Sequence, residues 1–153
     1  MSKIIIITEK NNISDIEKVL RILTPNVKVV FIGSEFVGGI KKGDAGDEAI
    51  LFFNYDDLKS REACKFLESD KISFGFSEKA DFFASDQIDT EEGISFKLNY
   101  RGNSVPIWIK SPFDKEKIYN ILAAICVAEF SGLNIVEISE QLKNLPGQIP
   151  TVQ

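Results

Sequence analysis

The sequence predicts an α/β fold, a mostly parallel sheet flanked by helices that carries a small antiparallel β appendage. Three observations carry that expectation. First, a β-branched apolar run, Lys3 to Thr8, is followed by a polar turn, Glu9 to Asn12, and an amphipathic helix, Ile13 to Leu23. Second, the segment Ala49 to Asn54 is apolar at odd and even positions alike, as a parallel strand covered by helices on both faces must be. Third, residues 80–88, 94–100 and 104–110 show partial two-residue alternation. They are joined by Glu91-Glu92-Gly93 and Arg101-Gly102-Asn103, both suited to hairpin turns.

The other elements follow in order. A second strand spans 27–32 and is ended by Gly33; residues 33–48, rich in glycine and charge, read as a loop or short helix. Helix 57–68 has Asp56 or Asp57 available as its cap, and a short strand at 71–75 closes that unit. Helix 114–131 starts behind Asp114 and ends near Gly132, and a last helix over 135–144 stops at Pro146-Gly147. No repeat or low-complexity tract interrupts this pattern, so residues 1–153 read as one domain.

Composition narrows the function classes. With 153 residues, 44% of them hydrophobic and 27% charged, the chain has enough apolar material for one core. The net charge of −5 is spread along the chain, which speaks against a nucleic-acid or anionic-membrane footprint. No histidine is present, which removes the commonest neutral-pH acid/base and metal ligand. Cys64 and Cys126 lie far apart in amphipathic helical segments and read as buried free thiols. The opening apolar run is a strand and not a signal peptide, and nothing approaches the ~20 apolar residues of a membrane span. A cytoplasmic protein is the expectation.

The first strand–turn–helix has the layout in which a loop and a helix N-terminus hold phosphates. Such a loop needs glycines for close backbone approach and a lysine on the terminal phosphates. Here Glu9 and Asn12 stand where glycines would serve, and Ile13 where the lysine would be. Any βα unit has a turn at this place, so the layout alone does not identify a nucleotide site.

The rest of the chain resembles the ATP-binding middle domain of the Mur ligases. Their loop runs Thr-Gly-Thr/Ser-Asn-Gly-Lys-Thr/Ser, and Ile7, Thr8, Asn11 and Ser14 fall in register with it. The run Ala49 to Asp57 is similar to the family's apolar strand ending in Asn-Ala-Asp-Asp. Ile72-Ser73-Phe74-Gly75 with Ala80-Asp81-Phe82-Phe83-Ala84 resembles Thr-Phe-Gly followed by Ala-Asp-Val-x-Ala. Ile118-Tyr119-Asn120-Ile121-Leu122-Ala123-Ala124 resembles the helix Val-Tyr-Asn-Ala-Leu-Ala-Ala. The resemblance implies a P-loop-like fold in a family that joins amino acids to a UDP-linked muramyl precursor. It also implies vestigial nucleotide-binding positions at Thr8, Asn11, Ser14, Asn54, Asp57 and Asn120. Read without it, Asn54, Asp56 and Asp57 cap or turn a strand end, Asp81 caps a strand start, and Asn120, Ala123 and Ala124 let a helix pack closely.

Departures from the family pattern are as telling. Beyond the loop, the family's Gly-Arg/Lys-His-Asn is replaced by Asp114-Lys115-Glu116-Lys117. Its terminal Pro-Gly-Arg-Met-Glu becomes Pro146-Gly147-Gln148-Ile149-Pro150. The segment that carries its Mg²⁺-supporting Glu and His is shortened, leaving Glu35 as a lone acid. No catalytic residue and no metal ligand can be placed. The expectation is a non-catalytic middle domain without its UDP-binding and C-terminal domains, acting as a binding or interaction module linked to peptidoglycan synthesis. No cofactor is expected. The alternative is one component of a split ATP-dependent amide ligase, with ATP and Mg²⁺ bound through groups from another subunit; weak nucleotide binding without hydrolysis is a third reading. A protein partner or homo-oligomer is expected, through the tail Leu145 to Val152 or through Pro106, Trp108 and Phe113.

Overall fold

The structure, a computed structural model, describes residues 3–33, 49–110 and 114–145. The elements are β1 (Lys3–Ile7), a 3₁₀ turn (Lys10–Asn12), α1 (Ile13–Leu23), β2 (Val29–Ile32), β3 (Ala49–Asn54), α2 (Leu58–Cys64), β4 (Asp70–Gly75), β5 (Phe82–Thr90), β6 (Gly93–Tyr100), β7 (Asn103–Ile109), α3 (Lys115–Phe130) and α4 (Ile135–Lys143). One sheet of seven strands results, in the order β2-β1-β3-β4-β5-β6-β7. The first four pairings are parallel and the last two antiparallel. The antiparallel part lies at one end of this mostly parallel sheet, in the strands β5, β6 and β7. They continue the parallel sheet through β5, which pairs with β4 at Phe74↔Phe82 and Gly75↔Phe83.

Alternation along the parallel strands builds two cores. Ile4, Ile6, Ile50 and Phe52 face the side covered by α1, α3 and α4, whereas Ile5, Ile7, Leu51 and Phe53 join Cys64 of α2 on the other. Strand β3 lies between β1 and β4 and is buried from Ala49 to Phe53, as its unbroken apolar run requires. Helix α3 is buried from Ile118 to Ala128 because the sheet lies beneath it and α1 and α4 pack against it. It is therefore not amphipathic, and Cys126 sits within a helix buried nearly all round, contrary to the expectation for that segment. Both cysteines are free and buried.

Several boundaries differ from the expected ones. Strand β2 is Val29–Ile32, two residues shorter at its start, and α2 ends at Cys64 where the sequence suggested residue 68. Asp57 occupies the N-cap position of α2, yet its carboxylate accepts from the Ser60 hydroxyl at 2.6 Å and caps no backbone N–H. Asp114 does cap α3, accepting from Glu116 N, and Asn134 caps α4, accepting from Val136 N. Both hairpin turns form. Arg101 (φ 49°) and Gly102 (φ 79°) have the paired positive φ of a type I′ turn, which matches the strand twist. Glu35, Phe113 and the tail beyond Leu145 lie outside the described residues.

Candidate functional site

A cleft of about 250 Å³ opens where the C-terminal ends of β1, β3 and β4 meet the N-terminal parts of α1 and α3. In parallel α/β sheets this is the edge at which ligands bind, because loops leave the strands there and helix N-termini point into the gap. Of the residues expected from the sequence, Thr8, Asn54, Asp57 and Asn120 line it; Asn11 and Ser14 do not. Asn11 is exposed on the 3₁₀ turn and Ser14 is half-buried in the first turn of α1.

Two of the loop's backbone N–H groups are already engaged. Thr8 N donates to Ile32 O at 3.0 Å and holds β2 against the end of β1. Asn12 N donates to Glu9 O, also at 3.0 Å, closing the 3₁₀ turn. Asn12 stands at the N-cap of α1 in helical conformation without a side-chain cap bond, and its Oδ1 accepts weakly from Asn120 Nδ2 at 3.4 Å. Asn120 is buried on α3, so this contact ties the loop to the central helix.

Asp56 organises the opposite wall. Its carboxylate accepts from Phe76 N at 2.7 Å, Ser77 N at 3.2 Å and the Tyr119 hydroxyl at 2.8 Å. Asn54 Oδ1 in turn accepts from Asp56 N at 2.9 Å, fixing the turn after β3. Gly75 makes room for this arrangement, since a Cβ there would lie 2.9 Å from the Asp56 carboxyl atoms. Tyr119 meets Phe76 edge-on at 5.2 Å, and the Lys115 ammonium lies over the Phe76 ring at 5.4 Å. Burial, and then the bond to Asp56, push the Tyr119 phenol well above its usual range, so it stays a neutral donor. Sequence reasoning assigned Asp56 to the strand end but missed its link to Tyr119, which no local pattern signals. Asp81, just before β5, reaches into the middle of β4, where its Oδ2 accepts from Ser73 N at 2.8 Å.

The electrostatic character of the cleft follows from its lining. Glu9, Asp56, Asp57 and Glu116 contribute carboxylates, and no lysine or arginine is among the lining residues. Such a wall repels a polyphosphate, which needs cations or free backbone N–H groups. The described residues contain no cluster of three or more acidic, cysteine or histidine side chains arranged to hold a metal.

Residues 34–128 match the family model described as the Mur ligase middle domain, a span that begins after the loop at Thr8 to Ser14. One relative, the UDP-N-acetylmuramoyl-L-alanyl-D-glutamate–2,6-diaminopimelate ligase 1 of Clostridium acetobutylicum, is 31% identical over 102 residues, covering 65% of this chain and 21% of that protein. The chain thus spans about a fifth of the length of the curated relatives it matches. The solved UDP-N-acetylmuramoylalanyl-D-glutamyl-2,6-diaminopimelate–D-alanyl-D-alanyl ligase from Acinetobacter baumannii superimposes with a TM-score of 0.71 at 12% identity, over 96% of this chain and 47% of that one. The MurF ligase of Thermotoga maritima, solved in complex with ADP, gives 0.66 at 12% identity over 90% and 48%. These two likenesses bear on the fold alone.

Proposed function

The chain belongs to the Mur ligase middle-domain family, and from that premise we propose that it is a non-catalytic member acting as a binding or interaction module linked to peptidoglycan synthesis. One observation carries the reading: the cleft where this fold presents its phosphate loop is lined by four carboxylates, Glu9, Asp56, Asp57 and Glu116, without a lysine or arginine. Phosphoryl transfer to a carboxylate depends on Mg²⁺ and on cations around the terminal phosphates. Glu9 and Ile13 stand in register with the family's loop glycine and lysine, so both the opening for the phosphates and their counter-charge are missing from this loop. Neither ATP nor Mg²⁺ is a required cofactor in this reading, and the protein works in the cytoplasm beside the precursor ligases.

The partner is another protein or a second copy of the chain. Phe66, just after α2, is 82% exposed and Leu58, its first residue, 58% exposed, and such apolar surface supports a contact role. Titration of the protein with ATP and Mg²⁺ by calorimetry tests the main claim. Affinity no tighter than about millimolar, roughly −4 kcal/mol, is expected; a micromolar dissociation constant would overturn it.

A second reading keeps an active ligase split between subunits. It is favoured by Thr8, Asn54 and Asn120, which still meet in one cleft. A partner subunit would then have to bring cations to the cleft. Adjacent genes encoding the missing ligase domains, together with ATP-dependent ligation on mixing the products, would select this reading over the first.

A further inference from the structure

We propose that the cleft at the C-terminal ends of β1, β3 and β4 receives a lysine or arginine side chain of a partner protein. The proposal rests on the reading that this cleft takes no nucleotide, and it names the chemistry of the partner. Two independent observations carry it. The first is an acceptor without a donor. Asn120 is 4% exposed and lines the cleft from α3. Its one contact, from Nδ2 to Asn12 Oδ1, is 3.4 Å long, beyond the about 2.7–3.2 Å of an ordinary N–H···O bond. Its Oδ1 accepts from no described residue and is not sealed off, so it opens onto the cleft. A buried amide oxygen without a donor costs stability, which an incoming N–H restores.

The second observation is the charge. Four carboxylates line the cleft against no lysine or arginine; Lys10 and Lys115, on the same elements, are not among the lining residues. Asp56 is engaged by Phe76, Ser77 and Tyr119, and Asp57 Oδ2 by Ser60. The carboxylates of Glu9 and Glu116, and Asp57 Oδ1, meet no hydrogen-bond donor or cation among the described residues. The helix ends do not use them: at the start of α1 the Ile13 N–H donates to Lys10 O, and in α3 the Glu116 N–H donates to Asp114. A metal ion would need converging ligands, and the described residues hold no such cluster. At about 250 Å³ the cleft is smaller than the about 300–1,000 Å³ of pockets for drug-sized ligands, so a single side chain suits it. Exposed Glu9 and Glu116 draw a cation in, and half-buried Asp57 and the Asn120 Oδ1 take its N–H groups. Ile7, Ile16 and Phe74 wall its methylene stem.

The test is an NMR titration of the ¹⁵N-labelled protein with acetyl-Ala-Lys-Ala-amide and with its norleucine counterpart, which keeps the stem and lacks the charge. Saturable shifts of the Asn120 side-chain amide and of the Thr8, Glu9 and Asp57 N–H groups are expected with the lysine peptide alone. Combining Glu9→Gln with Glu116→Gln should weaken them at least about tenfold. Both residues are exposed, and the spectrum of the variant reports that it folds. No shifts at about 10 mM peptide overturn the proposal. So do equal shifts with the norleucine peptide, and so does tighter binding of free butylammonium than of the peptide, the mark of a small-amine site that shuts out a chain. Titrating ATP–Mg²⁺ into the same sample separates the two claims. Micromolar nucleotide binding overturns the reading of the cleft itself, whereas a sample that responds to neither ligand overturns the proposal alone.

Discussion

The Tyr119 hydroxyl donates to Asp56 Oδ2 at 2.8 Å, joining residues 63 apart in sequence and locking the start of α3 to the turn after β3. The same carboxylate holds the N–H groups of Phe76 and Ser77, so a single side chain positions three segments around the cleft. Asp56→Ala orphans all three donors, whereas Tyr119→Phe removes one. Because Asp56 is itself exposed, water can replace part of what is lost, and the expected costs are about 1–2 kcal/mol for Asp56→Ala and about 0.5–1 kcal/mol for Tyr119→Phe. Gly75→Ala should resemble Asp56→Ala, since its Cβ displaces the carboxylate. Urea unfolding measures each; Tyr119→Phe proving the costliest of the three would refute the latch.

How much of this was legible beforehand depended on the range of the interactions. The run Ala49 to Asn54 was readable to the residue and the helix behind Asp114 to within one residue at each end, because continuous apolar burial and an N-cap are local signals. The union of both sheet halves was not, since it rests on two parallel pairs, Phe74↔Phe82 and Gly75↔Phe83, across a connection too short for the usual parallel crossover, which no turn sequence announces. Motif register singled out Thr8, Asn54, Asp57 and Asn120, which line the cleft. The contacts of Asp56 with Phe76, Ser77 and Tyr119 needed the tertiary fold. Asp56 or Asp57 was expected to cap a helix by propensity, but Ser60 took the Asp57 carboxylate, and Asp56 turned to Phe76, Ser77 and Tyr119.

Phe52 is fully buried and Phe53 8% exposed, on opposite faces of the central strand. Phe52 also meets Phe130 of α3 edge-on at 5.8 Å. Phe52→Ala should cost about 3–5 kcal/mol, and Phe53→Ala somewhat less, because the α2 side is the smaller core. Chemical denaturation gives both values. Losses under about 1 kcal/mol at each position would mean that β3 does not carry the core.

The loop offers a gain-of-function experiment. Replacing Glu9 by Gly, Lys10 by Thr, Asn12 by Gly and Ile13 by Lys writes the family loop into this chain while keeping Thr8, Asn11 and Ser14. If loop charge and backbone access limit nucleotide affinity, ATP–Mg²⁺ should bind at least about tenfold tighter, some 1.4 kcal/mol, by calorimetry. An unchanged affinity in a folded variant would place the barrier elsewhere in the cleft, with Asp57 and Glu116 the next carboxylates to remove.

Alkaline titration probes the buried Tyr119 phenol and the half-buried Tyr100 phenol. Burial and the bond to Glu129 push Tyr100 up to about 12, and burial with the bond to Asp56 raises Tyr119 further. In the unfolded chain a tyrosine ionises near about 10. Each phenol therefore holds its proton more tightly when folded, and the stability it contributes is fully present below about pH 10. Above that, the unfolded state releases protons that the native state keeps, so stability falls as pH rises toward and through the folded values. Tyrosinate absorbance in the native protein should thus lag behind that in denaturant, and Tyr100→Phe should remove the part of the lag nearest pH 12. The same substitution should flatten the loss of stability above about pH 10, since a phenylalanine has no proton to release. Both phenols ionising near pH 10 while the far-ultraviolet circular dichroism stays native would show that neither the Glu129 nor the Asp56 bond forms in solution.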